Sequence, residues 1–384
     1  MYLKKLFCLL LALCLLLTAL TACERTDNSQ QPDNDKPPAA TSGTTGEDAT
    51  QTDPGETDPT VTDPSQTDPP ETDPNETDPP ETNPTETEPV QTDPTEPEDE
   101  SQISPLLYKV EDKDGNVVWL FGSIHVGVES YYPLPNYVLS AYESADALAV
   151  ECDVIAAASD SDLLKDVLLQ LLYLDGTKIS DHIPEDLYIR AVEVMKECDL
   201  YTPVMDIYYP VLWSNFIDNT IIEEMDVDSE LGIDTYFLND AYDTGKEILE
   251  IESVEFQYGM LGGFSDALQA MLLESSIYSY EHLDEHKADL DLLMNTWASG
   301  DEQALAAILA EETEFENEEE KALYKEYNDA MIVSRNIAMA DYAEHALASG
   351  KEVFICVGAA HVVGEGAMAD LLAQRGYTVE RVAP

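Results

Sequence analysis

The sequence predicts an α/β (α+β) domain: a mixed central sheet flanked by helices, with a large helical middle segment and a disordered linker in front. Three observations predict it. Short runs of aliphatic and aromatic residues punctuated by turn residues gather at the two ends of the folded region. Apolar residues at helical spacing fill its middle. The stretch from about Glu24 to Ser104 carries almost no aliphatic side chains.

Tyr108-Lys109-Val110 and Val117 to Phe121 flank Asp114-Gly115, the strongest short-range signal for a hairpin. The second strand runs straight into Gly122-Ser123-Ile124-His125. A short helix fits Asn136 to Ser144, and Ala147 to Val150 reads as a buried strand ending at Glu151. Helical spacing recurs in Leu163 to Leu174, Pro184 to Leu200 and Pro210 to Met225, with Pro184 suited to a first turn. A helix starting near Ile233 precedes a strand at Glu247 to Ile251. More helix covers Ala267 to Ala310 and Glu318 to Ala348, where Gly350 supplies the stop. Val353 to Val357 is a buried strand that runs into Gly358-Ala359-Ala360-His361. A helix from Gly364 to Gln374 and a strand from Thr378 to Val382 close the chain.

The N-terminus has a different character. Lys4-Lys5 followed by a Leu-rich run to Leu17 is an export signal, too short for a comfortable membrane span. Leu20-Thr21-Ala22-Cys23 resembles a bacterial lipobox, so residues 1–22 are expected to be removed and Cys23 to carry lipid. The mature chain is then extracytoplasmic and anchored to the cell membrane. Residues 23–104 form an acidic linker with a Thr-Asp-Pro repeat whose prolines recur every fifth residue from Pro54 to Pro94. Proline at that spacing blocks helix and sheet, and the carboxylates repel one another. At about 3.1 Å per residue such a spacer reaches on the order of 200 Å. Residues 105–384 are left for the folded domain.

The formal net charge is −61, from 79 acidic and 18 basic residues. Such a surface is a poor match for nucleic acid, which needs Lys and Arg, and anionic lipid would repel it. Membrane attachment therefore rests on Cys23. Cys8 and Cys14 leave with the signal. Cys152, Cys198 and Cys356 remain, with no spacing that makes a disulfide framework or zinc finger.

The chemistry points to two segments of the same construction, each an apolar strand followed by Gly-x-x-His: Gly122 to His125 and Gly358 to His361. A histidine just past a buried strand faces the crevice where α/β proteins bind ligands. Glu151 ends a third strand in the same style. Two histidines and a carboxylate form a common set for a divalent ion that activates water.

With these motifs the chain resembles the TraB/GumN family, which includes the Tiki-type metalloproteases. The resemblance rests on Phe121 to His125 and Val357 to Gly364, with Val150-Glu151 between them. It extends to Gly232-Ile233-Asp234, Glu252-Ser253 with Gln257, Trp297 with Gly300-Asp301, Arg335-Asn336 and Gly376 to Val379. It implies a metal-dependent hydrolase of peptide or protein substrates, with manganese- or cobalt-like metal use in the Tiki branch, and the expected divalent ion is manganese, cobalt or zinc. By that analogy His125 and His361 are metal ligands, Glu151 a ligand or general base, and Glu252 a second acid. Arg335 stabilises an oxyanion or orients a carboxylate, or else forms a buried ion pair with Glu151 or Asp234. Asp234 reads first as a charge at a helix N-terminus.

His282-Leu283-Asp284-Glu285-His286 also fits the HxxEH pattern, but on a highly charged segment that reads as a solvated helix face. His182 and His345 have no partner pattern, and Cys152 and Cys356 read as buried packing. A different class of function uses the same crevice without turnover: a lipoprotein that binds a peptide, a haem-like group or a metal.

Overall fold

The computed structural model describes residues 101–310, 315 and 317–382. The expected signal peptide, the expected lipid site Cys23 and the repeat region lie outside them. Ile103 is already buried and Ser104 donates its N–H to the Ala298 carbonyl, so the folded unit includes residues just ahead of Pro105.

The expected hairpin opens the fold. Strand β1 (Leu107–Glu111) pairs antiparallel with β2 (Val117–Ser123), and the Asp112 carboxylate closes the turn by accepting from the Asp114 and Asn116 amides. Helix α1 (Asn136–Ser144) leads to β3 (Ala147–Val150). The helical middle comprises α2 (Val154–Ser159), α3 (Ser161–Gln170), α4 (Glu185–Glu197), α5 (Pro210–Glu223) and α6 (Ile233–Thr244). Strand β4 (Glu247–Glu250) interrupts it. Helices α7 (Val254–Gly262), α8 (Asp266–Glu281), α9 (Leu283–Ser299), α10 (Glu302–Leu309) and α11 (Glu318–Asn328) follow. A π-helical turn (Asp329–Val333) joins α11 to α12 (Ser334–Ser349). Strand β5 (Val353–Gly358), the single turn α13 (Ala359–Val362), α14 (Met368–Gln374) and β6 (Thr378–Val382) complete the chain.

The sheet runs β4-β3-β5-β2-β1-β6. β4, β3, β5 and β2 are parallel, while β1 is antiparallel to both its neighbours. Side chains explain this order. Every residue of β3 and β5 is buried, which suits the interior of a sheet covered on both faces. The edge strands β4 and β6 carry Glu247, Glu250, Glu380 and Arg381, which blunt edge pairing. The core centres on β2 and β5, where the Phe121 and Phe354 rings stack at 5.7 Å and Phe237 of α6 meets Phe121 edge-on. Trp297 of α9 packs on Phe121 and donates its indole N–H to the Gly122 carbonyl at 2.7 Å, so α9 is pinned where β2 ends. Truncating such a ring costs ~3–5 kcal/mol.

Some boundaries differ from the pattern reading. The apolar stretch from Ala267 to Ala310 is three helices broken at His282 and Gly300, because apolar periodicity carries across a tight helix–helix corner. Helix α14 starts at Met368 rather than Gly364, since Gly364 and Gly366 both take positive φ. Pro184 sits at the N-cap of α4, one residue ahead of its first turn. Helices α2 and α7, too short for a clear period, were not expected. Among the described residues no helix is long and apolar enough to cross a membrane.

Helices α5 and α8 enclose Asp218, buried together with Ser275, Ser276 and Ser279. One Asp218 carboxylate oxygen has no hydrogen-bond partner, and burial pushes its pKa up to about 8, opposed only by Ser276. A raised folded-state pKa means the native state holds a proton that the unfolded chain releases. The associated stability is complete below the ordinary carboxylate pKa and is lost as pH rises toward about 8. Asp218→Asn should therefore flatten the loss. Thermal melts of the wild type should fall more steeply between pH 5 and pH 8 than those of the variant, by ~1 kcal/mol or more. Parallel melts would refute the assignment.

Candidate functional site

The four parallel strands end at one edge of the sheet, and each delivers a side chain there. β2 ends at Ser123. The Ile124 carbonyl then accepts from the Ile233 N–H at 3.0 Å, joining the loop to the start of α6. Gly232 lies so close that a Cβ there would come within 2.4 Å of the His125 carbonyl oxygen, so only glycine allows this junction. Asp234, in the first turn of α6, thereby reaches His125: Oδ2 lies 2.7 Å from Nδ1.

On the other side β5 ends at Gly358, and α13 turns His361 back over the strand end. His361 Nδ1 is 2.7 Å from Asn336 Oδ1, while Asn336 Nδ2 donates to the Gly366 carbonyl at 3.0 Å. With its NH₂ committed to a carbonyl, Asn336 presents oxygen to the imidazole. His361 therefore donates from Nδ1 and keeps a lone pair on Nε2. Burial and then the nearby Arg335 guanidinium push its pKa down to about 3, so the ring is neutral.

Glu151 follows β3. Its Oε1 accepts from the Gly358 N–H at 2.8 Å and lies 3.9 Å from His361 Nε2. Its Oε2 accepts from Arg335 Nη2 at 2.5 Å and from Gln257 Nε2 at 3.2 Å. Arg335, 2% exposed, also donates Nε and Nη2 to the two oxygens of Glu252, each at 2.8 Å, and Nη1 to the Met331 carbonyl. Gln257 bridges to Glu252 at 2.9 Å. Burial alone would raise the Glu151 pKa, but Arg335 and then the two histidines hold it well below the carboxylate range. Burial likewise opposes protonation of His125, yet the Asp234 carboxylate outweighs it and lifts the pKa to about 9.

The three groups face one point. A Cβ added to Gly358 would stand 3.3 Å from Glu151 Oε1, 3.5 Å from His125 Nε2 and 3.7 Å from the His361 ring. That point opens into a cleft of about 80 Å³. The cleft is walled by Ile124, Val126, Leu290, Leu293, Met294, Leu309, Met331 and Ile332. An apolar cavity with a few convergent polar groups is the form that ligand sites take.

Two features fit a divalent ion. His125 Nε2 is buried without a hydrogen-bond partner, and His361 Nε2 keeps its lone pair. Each ring is also tied from behind through Nδ1, as metal-bound histidines are. As the side chains stand, no group of three or more His, Cys, Asp or Glu among the described residues is arranged to hold a metal. Arg335 already engages one Glu151 oxygen, and His125 must release its proton before its Nε2 can bind a cation.

The sequence profile of the TraB/PrgY/gumN family matches residues 106–381, and the chain belongs to this family. An uncharacterized protein, YbaP, of Escherichia coli (strain K12) is 28% identical over 255 residues, which is 66% of this chain and 86% of that protein. The YbaP protein of Shigella flexneri matches to the same extent. No solved structure matches.

The structure brings His125, His361, Glu151, Glu252 and Arg335 together. Arg335 pairs with both glutamates and not with Asp234, which instead backs His125. The two histidines of the HxxEH segment do not share a helix face. His282 is the corner between α8 and α9 and stacks back on Tyr278, whereas His286 is buried in α9. His182 stacks on Tyr173 and meets Thr177 and Asp266, while His345 contacts the Asp341 carbonyl. Cys152 lies against Gln257, and Cys356 is buried within β5. The parts that pattern reading missed are the positioning role of Asn336 and the π-helical turn that carries Met331 and Ile332 into the cleft. The adjacency of Asn336 to Arg335 was the available signal.

Arg335→Met would leave two buried carboxylates facing each other without a cation. Urea denaturation should show a loss of ~3–5 kcal/mol, part of which Glu252→Gln restores in the double variant. Unchanged stability of Arg335→Met would mean that the ion pairs contribute nothing.

Proposed function

We propose that this protein is an exported, lipid-anchored hydrolase of peptide bonds that depends on a divalent metal. The observation that supports it most is the convergence of His125 Nε2, Glu151 Oε1 and the His361 ring at one buried point beside an apolar cleft. His125 and His361 would hold the ion through Nε2, with Glu151 Oε1 as the anionic donor. Bound there, the ion supplies Lewis acidity toward a carbonyl and lowers the pKa of water. Asp234 and Asn336 orient the two imidazoles. Arg335 keeps Glu151 ionised, which suits a ligand or hydrogen-bond acceptor better than a proton-accepting base. The α9 and π-turn side chains exclude bulk water from the cleft.

A second reading has its own support. Both oxygens of Glu252 already accept from Arg335, and one also from Gln257, so this second acid has no unpaired oxygen to act as a base. That suits a lipoprotein binding a metal, a haem-like group or a peptide without turnover.

Peptide cleavage by the purified chain with manganese, cobalt or zinc separates the two. His125→Ala, His361→Ala and Glu151→Gln should each lose about 100-fold or more. Gly358→Ala should do the same while melting within a few degrees of wild type, because its methyl group occupies the convergence point. Metal uptake without cleavage under every condition would leave the binding reading. The anchor is tested separately: Cys23→Ser should abolish labelling by a fatty-acid probe and release the protein from the membrane fraction.

A further inference from the structure

The wall of the cleft is one-sided in its chemistry. Leu290, Leu293 and Met294 come from α9, Leu309 from α10, and Met331 and Ile332 from the π-helical turn. All six are apolar, and Leu290, Met294 and Met331 are nearly inaccessible except through the cleft. This wall lies beside His125, His361 and Glu151, so whatever presents a bond to those residues lays its neighbouring group against aliphatic surface. Polar faces of the same helices carry the opposite character. Asp284, Glu285, Asp291, Glu318 and Glu319 are exposed on α9 and α11. Among the cations there, Lys287 is paired with Asp226 and Lys325 with Asp329, while Lys321 is exposed on α11. The chain as a whole carries a net charge of −61.

We infer that the substrate class is a cationic peptide whose bulky aliphatic or aromatic side chain fills this cleft beside the scissile bond, its lysines or arginines lying outside. The inference rests on the peptidase reading of the same site and narrows it. The apolar side chain supplies affinity by leaving water. Burying one Leu or Phe side chain is worth roughly 10- to 100-fold in binding. The acidic field supplies selection at a distance by concentrating cationic chains near the mouth, an effect that salt screens. The positive face of such a peptide meets no cationic wall, and its apolar face meets no charge until it reaches Arg335 and Glu151 at the cleft floor.

The test uses the full chain and a fluorescein-labelled hexapeptide, Lys-Lys-Phe-Leu-Lys-Lys. Two controls replace the central pair by Ser-Ser or the lysines by glutamates. Anisotropy without added metal reads binding, and chromatography with manganese reads cleavage. The Ser-Ser peptide should bind at least tenfold more weakly, and the Glu-flanked peptide should also bind more weakly. Added salt should weaken the Lys-flanked peptide most. Leu293→Gln and Ile332→Gln alter partly exposed wall positions without adding charge and should keep the fold, checked by circular dichroism. Each should weaken the Phe-Leu peptide about tenfold and leave the Ser-Ser peptide unchanged. Equal binding of the Phe-Leu and Ser-Ser peptides overturns the side-chain assignment, and equal binding of Lys- and Glu-flanked peptides overturns the charge assignment. Cleavage of all peptides alike sinks this inference but keeps the hydrolase. Selective binding with no cleavage keeps the cleft assignment and sinks the hydrolase.

Discussion

A single guanidinium holds the carboxyl edge of the sheet together. Arg335 lies buried between Glu151, which follows β3, and Glu252, which follows β4, with Gln257 bridging the two acids. Two carboxylates this close would otherwise repel each other and rise in pKa, and the loops that carry them would separate. Buried ion pairs are often neutral for stability when exchanged whole for apolar groups, but they impose a geometry that apolar groups do not. Here that geometry is the direction of Glu151 Oε1. With Oε2 taken by Arg335 and Gln257, Oε1 is left to face Gly358 and the two histidines.

The histidines depend on elements that lie behind them. Asp234 belongs to α6 and Asn336 to α12, so each imidazole is aimed by a helix docked against the sheet rather than by its own loop. Both rings meet their partners through Nδ1, and both turn Nε2 toward the same side. The two behave differently in charge because their neighbours differ. A carboxylate raises the proton affinity of His125, whereas burial beside Arg335 lowers that of His361. Two copies of one short motif therefore present unlike groups to whatever enters the cleft.

The paired Gly-x-x-His segments and Glu151 were legible because each follows a strand of uninterrupted apolar residues, and such strands lie side by side within a covered sheet. The hairpin at Asp114-Gly115 was legible for a local reason, its turn chemistry. The buried pair of Arg335 with Glu151 was among the readings, but its choice over Asp234, the added pair with Glu252 and the reach of Asp234 to His125 were not legible, because an arginine and an aspartate in helices have several partners in reach until the helices are docked. The corner at His282 was hidden by apolar periodicity that continues through it. The π-helical turn at Asp329–Val333 leaves no mark in composition, since its residues would serve equally well in an α-helix. Adjacency to Arg335 marked Asn336 but not its role, because its donor partner His361 and its acceptor partner, the Gly366 carbonyl, come from the segment beyond the next strand.

The order of strands also has a consequence for how the molecule is made. Among the described residues β5 is the fifth of six strands in sequence, yet it lies between β3 and β2 and is the one strand joining the β3–β4 half to the β2–β1 half. A nascent chain that lacks it has two unconnected ribbons, a Glu151 Oε1 without its amide donor and no second histidine. Contacts spanning so much sequence form slowly and late. The candidate site is therefore assembled only once β5 and the turn after it have been made, because a fragment that stops short of them carries neither His361 nor the Gly358 amide.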